Sequence, residues 1–262
     1  MRSEDDIDPS RAPDTGPADR HDIPAESRRL KDGFAANLAH ELRTPLSGLI
    51  GFAELLYSGR PGPVNERQRE YLGNILGSAQ HMLRLIDEVL DLARLEAGRL
   101  MFQVEPVALA AIVSEMCAAM GPAAAEKRIT LNAEVSASLG IVMLDATRMR
   151  QVLLNYLSNA IKFTPPGGRV TVRMHGEGDR AIRIEVDDTG VGIAEEDLPR
   201  MFEDFGQLEA GGAKDEGVGL GLALTRRIVE AQGGSVGVRS TAGIGTVFWA
   251  IIPAQRGGSS GR

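Results

Sequence analysis

His40 and Glu41 stand side by side in Phe34-Ala-Ala-Asn-Leu-Ala-His40-Glu41-Leu-Arg-Thr44-Pro45-Leu-Ser-Gly48, with a threonine one turn on and a proline just after. Apolar residues surround these polar ones at helical spacing, a costly way to build a plain structural helix. Histidine is the side chain best poised to exchange a proton or act as a nucleophile near neutral pH. An adjacent carboxylate can hold its ring and raise its basicity. On these residues alone a general base, a metal ligand, a satisfied core histidine and a nucleophile all remain open. A nucleophile requires an electrophile supplied elsewhere in the chain.

Three features of the second half bear on that requirement. In Asn155-Tyr-Leu-Ser-Asn159-Ala-Ile-Lys162, positions i, i+4 and i+7 put two amides and an ammonium on one helix face. Amide oxygens are hard ligands suited to Mg²⁺, and lysine suits phosphate. The plain alternative is a solvated polar face. Asp187-Asp188-Thr-Gly190-Val-Gly192-Ile follows a strand-like run. Its glycines let the backbone turn sharply and approach a flat ligand, and a carboxylate at a strand end can accept from an adenine amino group. An ordinary Asp-Gly turn is the alternative. Gly217-Val-Gly219-Leu-Gly221 opens a helix, where backbone N–H groups bind phosphate; otherwise it is a glycine linker. Phe202-Glu-Asp-Phe205 and the polar, glycine-rich run after it read as apolar anchors and a hinged loop over a ligand. The glycine run is not G-x-G-x-x-G and follows no clear strand, so a Rossmann site is disfavoured, and no P-loop motif occurs. His-Glu-Leu-Arg-Thr lacks the second histidine of a zinc-protease helix.

The elements that must position these groups fall into two blocks. Leu30, Phe34, Leu38, Leu42, Leu49, Ile50, Ala53 and Leu56 predict a helix from Glu26 to about Tyr57. Ser58-Gly-Arg-Pro-Gly-Pro63 breaks it. A second helix is predicted from about Asn65 to Ala97, with Gly98 as its C-terminal cap. A short loop between long helices makes an antiparallel hairpin, and two hairpins pairing into a four-helix bundle would bury both stripes, which predicts a homodimer. After Gly98 come an extended segment at 102–107, a helix over 108–120, a strand over 129–135, a helix over 145–163, strands over 170–174 and 181–186, the helix opened by the glycine run, and strands over 235–239 and 245–252. Mixed strands and helices in this order predict an α+β two-layer sandwich. The expected domains are a disordered leader over 1–26, a helical hairpin over 27–98, an α+β domain over 99–254 and a flexible tail over 255–262.

Composition narrows the class. The 262 residues are 43% hydrophobic, enough for a real core, but only 4% aromatic. The net charge of −7 argues against general nucleic-acid binding. The single cysteine, Cys117, precludes an intrachain disulfide and a cysteine-based metal site, which fits a reducing cytoplasm. No apolar run reaches the roughly 18–20 residues that span a bilayer, and the N-terminus lacks a signal-peptide core; no transmembrane segment is expected.

The order of motifs resembles the cytoplasmic core of bacterial two-component sensor histidine kinases. His40-Glu-Leu-Arg-Thr-Pro45 is similar to the family's H box, Asn155–Lys162 to its N box, Asp188-Thr-Gly-Val-Gly192 to its G1 box, Phe202–Phe205 to its F box and Gly217–Gly221 to its G2 box. Gly243-Ile-Gly-Thr-Val-Phe248 is similar to the terminal glycine motif, and the likeness covers about residues 28–254. It implies a dimerisation and histidine-phosphotransfer hairpin followed by an ATP-binding domain of the gyrase, Hsp90, kinase and MutL type. It also implies roles. His40 would attack the γ-phosphorus of ATP, with Glu41 holding the imidazole and acting as base. Thr44 would orient water for dephosphorylating a partner response regulator, whose receiver aspartate would take the phosphoryl group from His40. Asn155 and Asn159 would position Mg²⁺ and the phosphates, Lys162 would touch phosphate, and Asp188 would recognise adenine. Gly190, Gly192, Gly217, Gly219 and Gly221 would shape the pocket and its lid, flanked by Phe202 and Phe205.

Two positions depart from the family pattern. Val218 stands where a hydroxyl is common, and Gly206 where an aromatic is common. Lys214, in the expected lid, is either a phosphate contact or a solvated charge. Two other readings are a degenerate kinase that binds nucleotide without transferring phosphate, and an ATPase of the same superfamily. The second is disfavoured because such ATPases carry a glutamate where Asn155 stands.

Overall fold

The computed structural model describes residues 25–178, 180–203 and 220–256, with side chains from Glu41 onward except at Glu96 and at 255–256. The leader up to residue 24, the tail beyond residue 256, and Phe205, Gly206, Lys214, Gly217, Val218 and Gly219 lie outside the described residues.

Helix α1 (Ala25–Tyr57) and helix α2 (Glu66–Glu96) form the antiparallel hairpin the apolar spacing requires. At about 1.5 Å per residue each is close to 50 Å long. Asn65 starts α2 with a reciprocal cap: its Oδ1 accepts from the Gln68 N–H at 2.8 Å, and Gln68 Oε1 accepts from the Asn65 N–H at 2.9 Å. At the other end Gly98, with φ +66°, closes α2; Gly98 N–H donates to Leu95 O and Arg99 N–H to Arg94 O. Leu46, Ala53, Ala79 and Leu90 are buried in the hairpin. A second apolar set stays uncovered, with Phe52 72% and Leu49 57% exposed beside Leu42, Leu56, Ile75 and Met82.

The remainder is a sheet with helices on one face. Strand β1 (Val104–Ala108) leads into helix α3 (Leu109–Glu126), then strand β2 (Thr130–Val135) and strand β3 (Ile141–Asp145). Helix α4 (Ala146–Phe163), strands β4 (Arg169–Glu177) and β5 (Ala181–Asp188), helix α5 (Gly221–Ala231), strands β6 (Ser235–Thr241) and β7 (Gly245–Pro253), and the short strand β8 (Gln255–Arg256) complete it. The main sheet runs β2-β4-β5-β7-β6, with β2 and β4 parallel and the other pairs antiparallel; β1, β3 and β8 form a small antiparallel sheet. The expected hairpin followed by an α+β sandwich is what forms.

Three details differ from the sequence reading, the first being that β8 pairs with β3 where a flexible tail is expected from residue 255. The pattern does not single out β3, because a five-residue apolar strand merges without a break into the helix after it. Helix α3 also runs past the expected stop at residue 120, through Pro122. By length and composition alone, with mean hydropathy 1.2 over 18 residues, α3 meets the requirement for crossing a bilayer. In this fold it lays Leu109, Ile112, Val113 and Met116 into the core. Tyr156 fills the centre of that core. Its ring stacks on Phe248 at 5.6 Å, its hydroxyl donates to Trp249 O at 3.1 Å, and burial pushes the phenol pKa far up.

Candidate active site

The alternation of β5 builds the first wall. Ile182, Ile184 and Val186 point into the core, so the same period of two carries Asp188 inward at the strand's end. Asp188 is 5% exposed. Its Oδ1 accepts from the Gly190 N–H at 2.8 Å, and the backbone of Thr246, its register partner on β7, also donates to it. Burial dominates these bonds and lifts the carboxyl pKa from 3.8 to about 6. A carboxylate held there stands ready to accept a further donor.

Glycine is required in the turn that follows. A Cβ on Gly190 would lie 2.5 Å from Asp188 Oδ1 and 2.8 Å from Phe163 O. Gly192 has φ +68°, and a Cβ there would run into the Thr241 carbonyl. The turn is tied to the end of α4 by Val191 N–H to Phe163 O at 3.3 Å, and to the β6–β7 hairpin by Ile193 N–H to Ser240 Oγ at 2.8 Å. Gly192→Ala is expected to destabilise the protein by about 2 kcal/mol, a fall of several degrees in Tm. Gly77→Ala, inside α2 with no atom within 4 Å of the added Cβ, should instead stabilise by about 1 kcal/mol. Calorimetry of the two variants checks both signs.

Helix α4 is the second wall. Asp145 caps it, accepting from the Arg148 N–H at 2.9 Å, and its buried face leaves the polar stripe on the opposite side. Asn155 Nδ2 donates to Thr225 Oγ1 on α5 at 2.7 Å, and Asn159 Nδ2 approaches Asn155 Oδ1 at 3.5 Å. A Cβ on Gly221 would fall 2.5 Å from Asn155 Oδ1, so the first turn of α5 sits directly against that amide. Lys162 is exposed, its Nζ 5.0 Å from the centre of the Phe163 ring. Phe202 is half-buried and meets Phe248 edge to face at 6.2 Å, anchoring the segment before residue 204 onto the core.

Asn155, Asn159 and Gly221 thus meet at one end of the site, and Asp188, Gly190 and Gly192 line the other. Lys162 and Phe163 close α4 beside the second group. Glu41 and Thr44 do not join them; both are exposed on α1 of the hairpin, one and four residues after His40. Two groups escaped the sequence reading. Thr225 is a buried hydroxyl on α5 that fixes Asn155. Lys127 donates from Nζ to Ile161 O at 2.9 Å and Lys162 O at 2.6 Å, capping the C-terminal carbonyls of α4. Spacing cannot reveal either, since both act across more than thirty residues.

Comparison with known proteins agrees with this geometry. Residues 30–98 match the His Kinase A (phospho-acceptor) domain, and residues 144–256 the histidine kinase-, DNA gyrase B-, and HSP90-like ATPase domain. The circadian input-output histidine kinase CikA of Synechococcus elongatus is 41% identical over 228 residues, covering 86% of this chain and 30% of that protein. The cell-division control histidine kinase PdhS of Brucella suis is 38% identical over 236 residues, covering 86% of this chain and 23% of that protein. The chain thus spans under a third of these relatives. The structure of full-length ShkA in complex with AMPPNP superposes with a TM-score of 0.72 at 35% identity, covering 87% of this chain and 47% of that one. With both characteristic domains in order on the observed hairpin and sandwich, the chain belongs to the sensor histidine kinases, as a catalytic core of that family.

Proposed function

We propose that the chain is an ATP-dependent protein-histidine autokinase of a two-component system that phosphorylates His40 and passes the phosphoryl group to an aspartate of a response regulator. The observation that carries this reading is the buried Asp188 carboxylate beside glycines that exclude any Cβ, together with the amide stripe of α4 packed against the first turn of α5. In this reading residues 27–98 dimerise and carry phosphate, and residues 99–254 bind ATP. The uncovered Phe52, Leu49 and Ile75 support pairing of two hairpins into a four-helix bundle.

The residues divide the work. Asp188 accepts from the adenine amino group, and Gly190 and Gly192 let the base lie close. Lys162 meets phosphate. The His40 imidazole nitrogen forms a bond to the γ-phosphorus, the bond from that phosphorus to the bridging oxygen breaks, and ADP departs. Glu41 takes the imidazole proton. Among the described residues no three His, Cys, Asp or Glu cluster as a metal site. The donors at hand are the neutral amide oxygens of Asn155 and Asn159. That fits Mg²⁺, which needs few protein ligands when phosphates supply the rest, and these two asparagines would hold it. Bound there, Mg²⁺ would neutralise charge on the phosphate oxygens. Thr44, one turn beyond His40, serves the reverse hydrolysis of the regulator's phosphoaspartate.

Incubation with γ-labelled ATP and Mg²⁺ tests the reading. It should yield a phosphoprotein stable to base and labile to acid, which then loses label to a receiver domain. Nucleotide binding without label would show a scaffold in place of a kinase.

A further inference from the structure

Asp91 lies on α2, outside the pocket, and is 9% exposed. Its carboxylate is filled by the first turns of α4. Arg148 Nη1 donates to Oδ2 at 2.6 Å, Arg148 Nη2 to Oδ1 at 3.2 Å, and Gln151 Nε2 to Oδ2 at 3.0 Å. Arg148 Nη1 also donates to Gln151 Oε1 at 2.7 Å. The Arg148 and Asp91 side chains are 15% and 12% exposed, so this forked pair is largely withdrawn from water. Beside the packing of α5 on α2, it ties α4 of the ATPase domain to the hairpin, and the covalent link to α2 is the exposed turn at Gly98-Arg99.

Two registers give the clasp its meaning. Along α4, Arg148, Gln151, Asn155, Asn159 and Lys162 follow one another at three, four, four and three residues, a single stripe. The clasp is therefore the hairpin end of the face that handles phosphate, and Asn155 begins about 10 Å further along it. Across the hairpin, Arg43 on α1 pairs with Asp87 on α2. In antiparallel helices that sets position 40 level with about position 90, one residue from Asp91. In a bundle of two hairpins the partner's histidine stands at the same height.

We propose that Asp91 is a positioning residue for phosphoryl transfer, clasping Arg148 and Gln151 so that the ATPase domain docks at the height of His40 with its phosphate-handling stripe leading from the hairpin. This rests on the kinase reading above. Attack requires reacting atoms about 3–3.5 Å apart, so loosening the dock lowers the chance of reaching that geometry while leaving the nucleotide pocket intact.

The test uses the full chain. Asp91→Asn keeps shape and removes charge; the double exchange Asp91→Arg with Arg148→Asp restores the pair reversed. Autophosphorylation at saturating ATP and the ATP Kd are measured for each. Energy transfer is read between dyes at Ser58→Cys and Arg180→Cys in a Cys117→Ala background, with labelled chains diluted into unlabelled ones. Asp91→Asn should slow labelling of His40 at least tenfold, change the ATP Kd less than twofold and alter energy transfer, and the exchange should recover at least half the lost rate. An unchanged rate, unchanged energy transfer, a Kd weakened in proportion to the rate, or an exchange without recovery would each overturn the proposal. If the unsubstituted chain never labels His40, the kinase reading itself has failed and the role in transfer falls with it; the energy-transfer arm then reports whether the clasp still orients the domains.

Discussion

His40→Gln is expected to abolish the acid-labile label while leaving ATP affinity within twofold of the original. Glutamine keeps polarity and helix propensity close to those of histidine, and position 40 lies inside the continuous helix α1, so the hairpin persists. What the substitution removes is the nitrogen proposed to attack phosphorus. The hydrogen bonds that fix Asp188 and Asn155 come from the turn after β5, β7 and α5 rather than from α1, the helix that carries position 40. The expected loss is therefore in transfer, at least a thousandfold and down to background, with binding intact. Labelling assays paired with a calorimetric ATP titration separate the two. Label that persists in His40→Gln would move the acceptor to another residue.

Asp188→Asn should weaken adenine nucleotide binding tenfold or more. The pocket presents two backbone donors, from Gly190 and Thr246, to this carboxylate. An asparagine can keep its one oxygen on these backbone donors, which turns its N–H₂ toward the adenine amino donor; that unmade bond in the complex costs about 1–3 kcal/mol, where 1.4 kcal/mol is tenfold in Kd. The preference for adenine over guanine should shrink as well, a change a merely structural role would not produce.

The same carboxyl gives the pH dependence. Its folded pKa of about 6 lies above the ordinary 3.8, so the nucleotide-free fold binds that proton more tightly than the unfolded chain does. Its contribution to stability is complete below pH 3.8 and is lost as pH rises through about 6. Binding runs the other way, because only the ionised group accepts fully from an amino donor. Adenine affinity should fall as pH drops below about 6, and Asp188→Asn should flatten that profile. At pH 8 the nucleotide-free variant should melt no lower than the original, since the unfavourable buried charge is gone.

Much of this site is written locally. The amide stripe of α4 follows from spacing alone, because residues four and seven apart share a helix face. The closeness of Gly190 to the Asp188 carboxylate is local, whereas the need for glycine at 192 also comes from the Thr241 carbonyl, a contact made only on folding. The cap at Gly98 and the break at 58–63 set the hairpin. The five-residue strand β3 escaped notice because its apolar run has no period of its own.

The chain's residues alone establish which groups can do chemistry and on which helix or strand each stands, since periodicity and capping act over a few residues. Folding decides what those groups meet. Only the β5–β7 register buries Asp188 deeply enough to lift its pKa. Only the packing of α5 on α4 brings Thr225 and Gly221 to Asn155. Only the docking of the ATPase domain on α2, with α5 packed there, brings Arg148 to Asp91, 57 residues away. These are contacts between distant segments, and burial, which exists only once the chain has closed on itself, sets their strength.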